Sequence, residues 1–121
     1  MSMHHTAQLF KALSEVTRLR ILSLLSRGEL CVCEIEAGLE LPQSTISRHL
    51  GLLRQTGLVH GRRKGVWMHY RLAEPQAEVH KAVVDMIHQA IAGLEPAAGD
   101  RARLKAFQAG QPCPEGQEMG E

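Results

Sequence analysis

The chain has 121 residues and a formal net charge of +1; 44% of the residues are apolar but only 3% are aromatic. That size fits one domain with an aliphatic core, which suits packed helices. No apolar run reaches the roughly 18 residues of a transmembrane helix, and the opening MSMHHTAQLF lacks a charged-then-apolar leader, so a cytoplasmic protein with no membrane contact is expected.

In chain order, TAQLFKAL (6–13) spaces Leu9, Phe10 and Leu13 as a short helix. SEVTRLRILSLLSRG (14–28) follows, with Ser14 as a candidate N-cap, an apolar face from Leu19 to Leu25, and Gly28 as the stop. CVCEIEAG (31–38) reads as a third helix ended by Gly38, and PQSTISRHLGLLRQTG (42–57) as a fourth between Pro42 and Gly57. The period then changes. In LVHGRRKGVWMHYRL (58–72), Val66, Met68 and Tyr70 alternate with polar or bulky neighbours beyond a Lys64-Gly65 turn, which predicts a hairpin. A helix returns at 74–94, with Val79, Val83, Met86, Ile87 and Ile91 in one apolar stripe. A short helix is expected at 100–107, then a mobile Gly- and Pro-rich tail. The expected fold is mainly α with a β-hairpin wing, a winged helix-turn-helix. It divides into a DNA-binding and dimerisation domain over 1–94 and an extension over 95–121.

Charge is distributed unevenly. Residues 41–73 hold six Arg or Lys and no Asp or Glu, the footprint of phosphate contact. On the fourth helix, Ile46, Leu50 and Leu53 recur at inward-facing spacing, which leaves Gln43, Ser44, Thr45, Ser47 and Arg48 near the exposed start. Recognition helices read base edges there: Gln suits adenine, Arg suits guanine, and Ser or Thr suits phosphate. Arg62, Arg63 and Lys64 crowd the hairpin and suit phosphate or minor-groove contact on double-stranded DNA. His49 is expected to be structural. The 75–94 stripe, helped by Leu9, predicts a homodimer that sets two recognition helices about 34 Å apart.

The stretch ELCVCEIE (29–36) holds Cys31 and Cys33; the remaining cysteine is Cys113. A disulfide between Cys31 and Cys33 would close a short, strained ring and is disfavoured in a reducing cytosol, which leaves burial or thiol chemistry. No Cys-x-x-Cys, acid pair, nucleophile triad or Gly-rich phosphate loop points to an enzyme.

The stretches LFKALSEVTRLRILSLL, GELCVCEIE, QSTISRHLGLLRQTGLV and GRRKGVWMHYRL resemble the ArsR/SmtB family of metal-responsive repressors, and ELCVC resembles its arsenite-responsive branch. That resemblance implies a homodimer that holds operator DNA when metal-free and releases it when As(III) or Sb(III) binds. The family's ligands map onto Cys31 and Cys33; where a third cysteine stands in the familiar arsenic site, this chain has Glu36, so either two thiolates bind or a third ligand comes from elsewhere, with Cys113, a small cellular thiol and solvent as the candidates. Cd(II) or Pb(II) as inducer and thiol-redox sensing are the alternatives, with His4 and His5 as nitrogen donors for a Cd(II) or Zn(II) site. The family's zinc site on the last helix does not map, because Ile91 stands where its second His falls; Glu78, His80, Asp85 and His88 then read as surface groups. On a regular helix, side chains at i and i+2 point about 200° apart, so joint use of Cys31 and Cys33 is expected to unwind the third helix and shift the recognition helix.

Overall fold

The computed structural model describes residues 1–110. Its helices are α1 (Met3–Leu13), α2 (Val16–Leu25), α3 (Val32–Leu39), α4 (Gln43–Gln55), α5 (Glu78–Gln89) and α6 (Ala97–Gly110); its strands are β1 (Leu30–Cys31), β2 (Val59–Lys64) and β3 (Trp67–Leu72). The strands form one antiparallel sheet in the order β1-β3-β2. The expected winged helix-turn-helix is present. Cys113 and the tail expected to be mobile lie outside the described residues.

Side-chain capping sets several helix ends. The Ser2 hydroxyl accepts from the His5 backbone N–H at 3.0 Å, so α1 starts earlier than expected and carries His4 and His5 as helical residues. The α2 cap is Glu15, not Ser14, because its carboxylate accepts from the backbone N–H groups of both Thr17 and Arg18. A carboxylate also opposes the positive end of the helix dipole, which a hydroxyl does not. Gly57 (φ +85°) ends α4 as expected. Gly38 does not end α3. The helix stops at Glu40, which takes the left-handed conformation (φ 57°). Gly38 is instead a point of close approach: a Cβ there would lie 2.9 Å from Leu24 Cδ1 and 3.3 Å from the Asp100 carbonyl oxygen.

The core gathers Leu9, Ile21, Leu22, Ile35, Leu50 and Ile87, together with buried residues from the sheet. Half of the α5 stripe therefore closes the protomer: Val83 and Ile87 are buried, as is Leu9 on α1, and Ile91 is part-buried. Exposed apolar residues of α5 are Val79 (38% exposed) and Met86 (41%), and α1 exposes Phe10 (51%). His80 is not a surface group. It shares the phase of Val83 and Ile87, is buried, and accepts from the Gln76 backbone N–H at 3.3 Å.

Beyond residue 94 the chain packs back against the helices that precede it. The helix expected at 100–107 runs from Ala97 to Gly110 and lies against α3, with Leu104 in the core. Its anchor is Asp100, fully buried, which accepts from Arg20 Nε and Nη2 at 2.8 Å each and from Arg103 Nη2. The same guanidinium groups donate to the end of α3: Arg20 to the Leu39 carbonyl at 3.0 Å, Arg103 to that of Gly38 at 2.9 Å. Carbonyls left open at a helix terminus are thereby satisfied.

Two outcomes test this packing. Asp100→Ala removes the buried partner of the part-buried Arg20 and of Arg103 and is expected to cost about 3 kcal/mol in urea unfolding. Burial, with a smaller push from His5, holds the His80 imidazole below its ordinary 6.5. The unfolded chain then binds the extra proton first, so stability should fall as pH drops below about 6.5. His80→Leu should flatten that limb of the Tm-against-pH curve.

Candidate nucleic-acid interface and thiol site

The start of α4 is presented as expected. Gln43, Ser44, Ser47 and Arg48 are exposed and Thr45 is half-buried, while Ile46, Leu50 and Leu53 anchor the opposite face. His49 holds the helix in place: its Nδ1 lies 3.3 Å from Arg18 Nη1 and its Nε2 3.6 Å from the Glu15 carboxylate, so it joins α4 to the start of α2. Arg18 also donates from Nε to the Ala12 carbonyl at 2.6 Å and so ties in the end of α1.

β2 and β3 pair from Val59↔Leu72 to Lys64↔Trp67, which makes Gly65 and Val66 the two turn residues. Gly65 at φ +66° supplies the left-handed conformation that the turn needs. Arg63 and Lys64 are exposed beside this turn. Arg62 is committed differently. It donates from Nε to Glu29 Oε2 at 2.9 Å and from Nη2 to Glu29 Oε1 at 3.3 Å, and His69 Nδ1 stands 3.6 Å from the same carboxylate. The Arg62 hydrogen bond is the main reason the Glu29 carboxyl sits below its usual value, with burial opposing it. The pair is therefore intact at neutral pH and is lost only as pH falls through that lowered value. Glu29 lies outside the acid-free stretch, and no spacing rule in the sequence links it to Arg62.

Between α4 and the wing runs a crevice of about 240 Å³, lined by Val32, Gln43, Ser47, Arg63, Trp67 and Tyr70. Val32 sits between the two cysteines, so the thiol site and this face share a wall.

The two cysteines do not both lie on the helix. Cys31 belongs to β1, paired with His69 of β3, and is the extended residue before α3 (φ −80°, ψ 160°). Cys33 is in the first turn of α3. The Cα atoms are 5.4 Å apart and the sulfurs are joined as a disulfide. This corrects two expectations. The pair does close a ring, because an extended residue at position 31 turns its side chain toward that of residue 33. No unwinding is needed to bring the sulfurs together, because Cys31 is already outside the helix.

Cys31 is fully buried and Cys33 partly exposed. The Glu34 carboxylate accepts from the Cys31 backbone N–H at 2.9 Å and, on its other oxygen, from Gln108 Nε2 of α6 at 2.8 Å. The x-x-Glu spacing after Cys31 is the sequence signal that marks this start. Glu36 stands one turn beyond Cys33, half-buried. Among the described residues no group of three or more His, Cys, Asp and Glu side chains could hold a metal ion. The two sulfurs suit a thiophilic ion, and the carboxylates of Glu34 and Glu36 do not.

Residues 15–60 match the family described as bacterial regulatory protein, arsR family. The structure of HlyU from Vibrio cholerae is similar, with 35% identity and a TM-score of 0.63, over 74% of this chain and 96% of that one. The chain belongs to the arsR family. This is a family of DNA-binding transcriptional regulators, not of enzymes. The arsenical resistance operon repressor of Escherichia coli K12 is 55% identical over 67 residues, 54% of this chain and 57% of the repressor, so the match spans little more than half of that relative. A homodimeric winged helix-turn-helix DNA-binding domain from Mycobacterium bovis is 27% identical with a TM-score of 0.60, covering 89% of this chain and 86% of that one. No helix among the described residues is long and apolar enough to cross a membrane.

For an arsR-family wing of this geometry, contributions to DNA affinity should differ among Arg62, Arg63 and Lys64. Arg63→Ala and Lys64→Ala should each reduce the slope of log K against log salt by about 1. Arg62→Ala should reduce it less, because Arg62 exchanges the Glu29 carboxylate for a phosphate. Fluorescence anisotropy on duplex operator DNA between low and physiological salt measures all three.

Proposed function

We propose that the chain is a transcriptional repressor that holds operator DNA as a homodimer when reduced and free of ligand, and releases it when As(III) or Sb(III) is captured by the thiolates of Cys31 and Cys33. The observation that carries this reading is the placement of Cys31. As the extended residue before the first helix of the helix-turn-helix, it sets its sulfur against that of Cys33, in the first turn of that helix. Similarity to an arsenical repressor supports the choice of ion. In this reading Gln43, Ser44, Thr45, Ser47 and Arg48 contact the major groove, and Arg63 and Lys64 the phosphates, with Arg62 shared between Glu29 and DNA. Phe10, Val79 and Met86 supply the apolar part of the dimer face, because Leu9, Val83 and Ile87 are spent inside the protomer.

As(III) supplies a soft, three-coordinate centre that exchanges oxygen ligands for sulfur. Capture requires the dithiol, so a cellular thiol reductant must first give the disulfide two electrons and two protons, itself ending as a disulfide. The site is then either a two-thiolate site or one completed by Cys113, a small cellular thiol or solvent.

The disulfide favours a second reading, in which a peroxide-class oxidant takes two electrons and two protons from the dithiol and itself triggers release. One titration separates the two. Reduced protein on operator DNA should be released by arsenite, and Cys31→Ser/Cys33→Ser should stay bound. Release of that double variant by arsenite overturns the reading. Release by peroxide but not by arsenite selects the redox alternative. Loss of arsenite response in Cys113→Ser identifies the third ligand.

A further inference from the structure

A cavity of about 280 Å³ opens between α6 and the turn that joins α2 to β1. Its floor is aliphatic: Leu24 of α2, Leu30 of β1 and Leu104 of α6, all buried. Its rim is cationic: Arg27 just beyond α2, and Arg101 and Lys105 on α6. We infer that this cavity binds a small amphipathic anion, a short apolar chain carrying one carboxylate, with the chain on the leucines and the head against the cations. The inference is independent of the ion response proposed at Cys31 and Cys33.

The rim cations are uncommitted. Among the described residues, no carboxylate or carbonyl accepts from Arg27, Arg101 or Lys105, whereas Arg18, Arg20, Arg62 and Arg103 are all held. Arg101 and Lys105 stand at i and i+4 of one helix, where like charges repel, and Arg27 adds a third positive charge at the same opening. The carboxylate in the lining, Glu29, does not neutralise them, because both of its oxygens accept from Arg62 of the wing.

The two halves of the site select against simpler ligands. An inorganic anion leaves the leucines against water, and an uncharged chain leaves the cations unmatched. Guanidinium groups suit a carboxylate, which accepts from both prongs of the fork. The volume lies at the low end for small-molecule sites and so suits a short chain. A smaller cavity of about 160 Å³ beside Val16, Leu19 and Leu94 shows the contrast. Its cation is Arg20, which is spent on Asp100 and the Leu39 carbonyl, so that cavity offers an anion nothing.

The test uses reduced full-length protein, calorimetry and methyl NMR, with sodium octanoate, 1-octanol and sodium phosphate as probes. Octanoate should bind once per protomer and shift the methyl resonances of Leu24, Leu30 and Leu104. Octanol, which lacks the charge, and phosphate, which lacks the chain, should each bind at least about tenfold more weakly. Arg101→Gln/Lys105→Gln should weaken octanoate by about tenfold or more, to the level of octanol. Arg27→Gln should weaken it in the same direction and serves as the second variant if the double one does not fold. Lys81→Gln, which removes an exposed cation of α5 paired with Asp85, should change nothing. Octanoate that leaves the three leucines unmoved overturns the inference. So does octanol or phosphate that binds as tightly as octanoate, or a rim variant with wild-type affinity. A rim that serves DNA instead would lower the salt slope of operator binding in the double variant while octanoate leaves the leucines unmoved, and that result also overturns it.

Discussion

The pairing of Leu30 and Cys31 with Tyr70 and His69 is two residues long, yet the arrangement of the molecule depends on it. It pulls the chain straight immediately before α3, so that Cys31 precedes the helix instead of lying on it. The same pairing docks the start of the helix-turn-helix against the central strand of the wing. One short strand thus fixes where the thiols are and how recognition helix and hairpin stand relative to each other. Glu34 reinforces it by holding the Cys31 N–H, and Glu29 does so from the other side by clasping Arg62 of β2. Backbone ladder, capping carboxylate and ion pair all converge on the four residues that precede or begin α3.

The far end of α3 is held as firmly, by different chemistry. A fully buried carboxylate is costly unless its lone pairs are filled, and Asp100 fills them with two arginines that also satisfy the last carbonyls of α3. The helix is consequently clamped at its C-terminal end and tethered through Cys31 at its N-terminal end. Both ends of α3 are thus held by contacts from elements distant in sequence.

Much of the fold was legible because it carries period and punctuation. The 3.6-residue stripes of α2 and α4, the stop at Gly57, and the alternation around Lys64-Gly65 all survive in the structure. So does the exposure of Gln43, Ser44, Ser47 and Arg48, because Ile46, Leu50 and Leu53 fix which face points inward. Two residues make no period, so β1 left no such trace, and the cysteines were placed on a regular helix. α6 was underestimated because its face toward α3 is made by Asp100, Arg103 and Gln108, which read locally as solvent-exposed. His80 is a different case. Its phase with Val83 and Ile87 marked it as inward, but a histidine beside charged neighbours invites a surface reading.

Composition and pattern alone were enough to establish an aliphatic helical domain, a basic reading segment free of acidic residues, and two closely spaced thiols beside it. Those are local properties, set by residue type and spacing. Which arginine is held by a carboxylate, which half of the α5 stripe is left exposed, and whether the two sulfurs can meet were decided only by tertiary contacts. Each depends on a group distant in sequence: Glu29 for Arg62, the core for Val83 and Ile87, and His69 for Cys31. Long-range pairing energies of this kind have no signature in a single stretch of chain, so the folded structure alone resolves them.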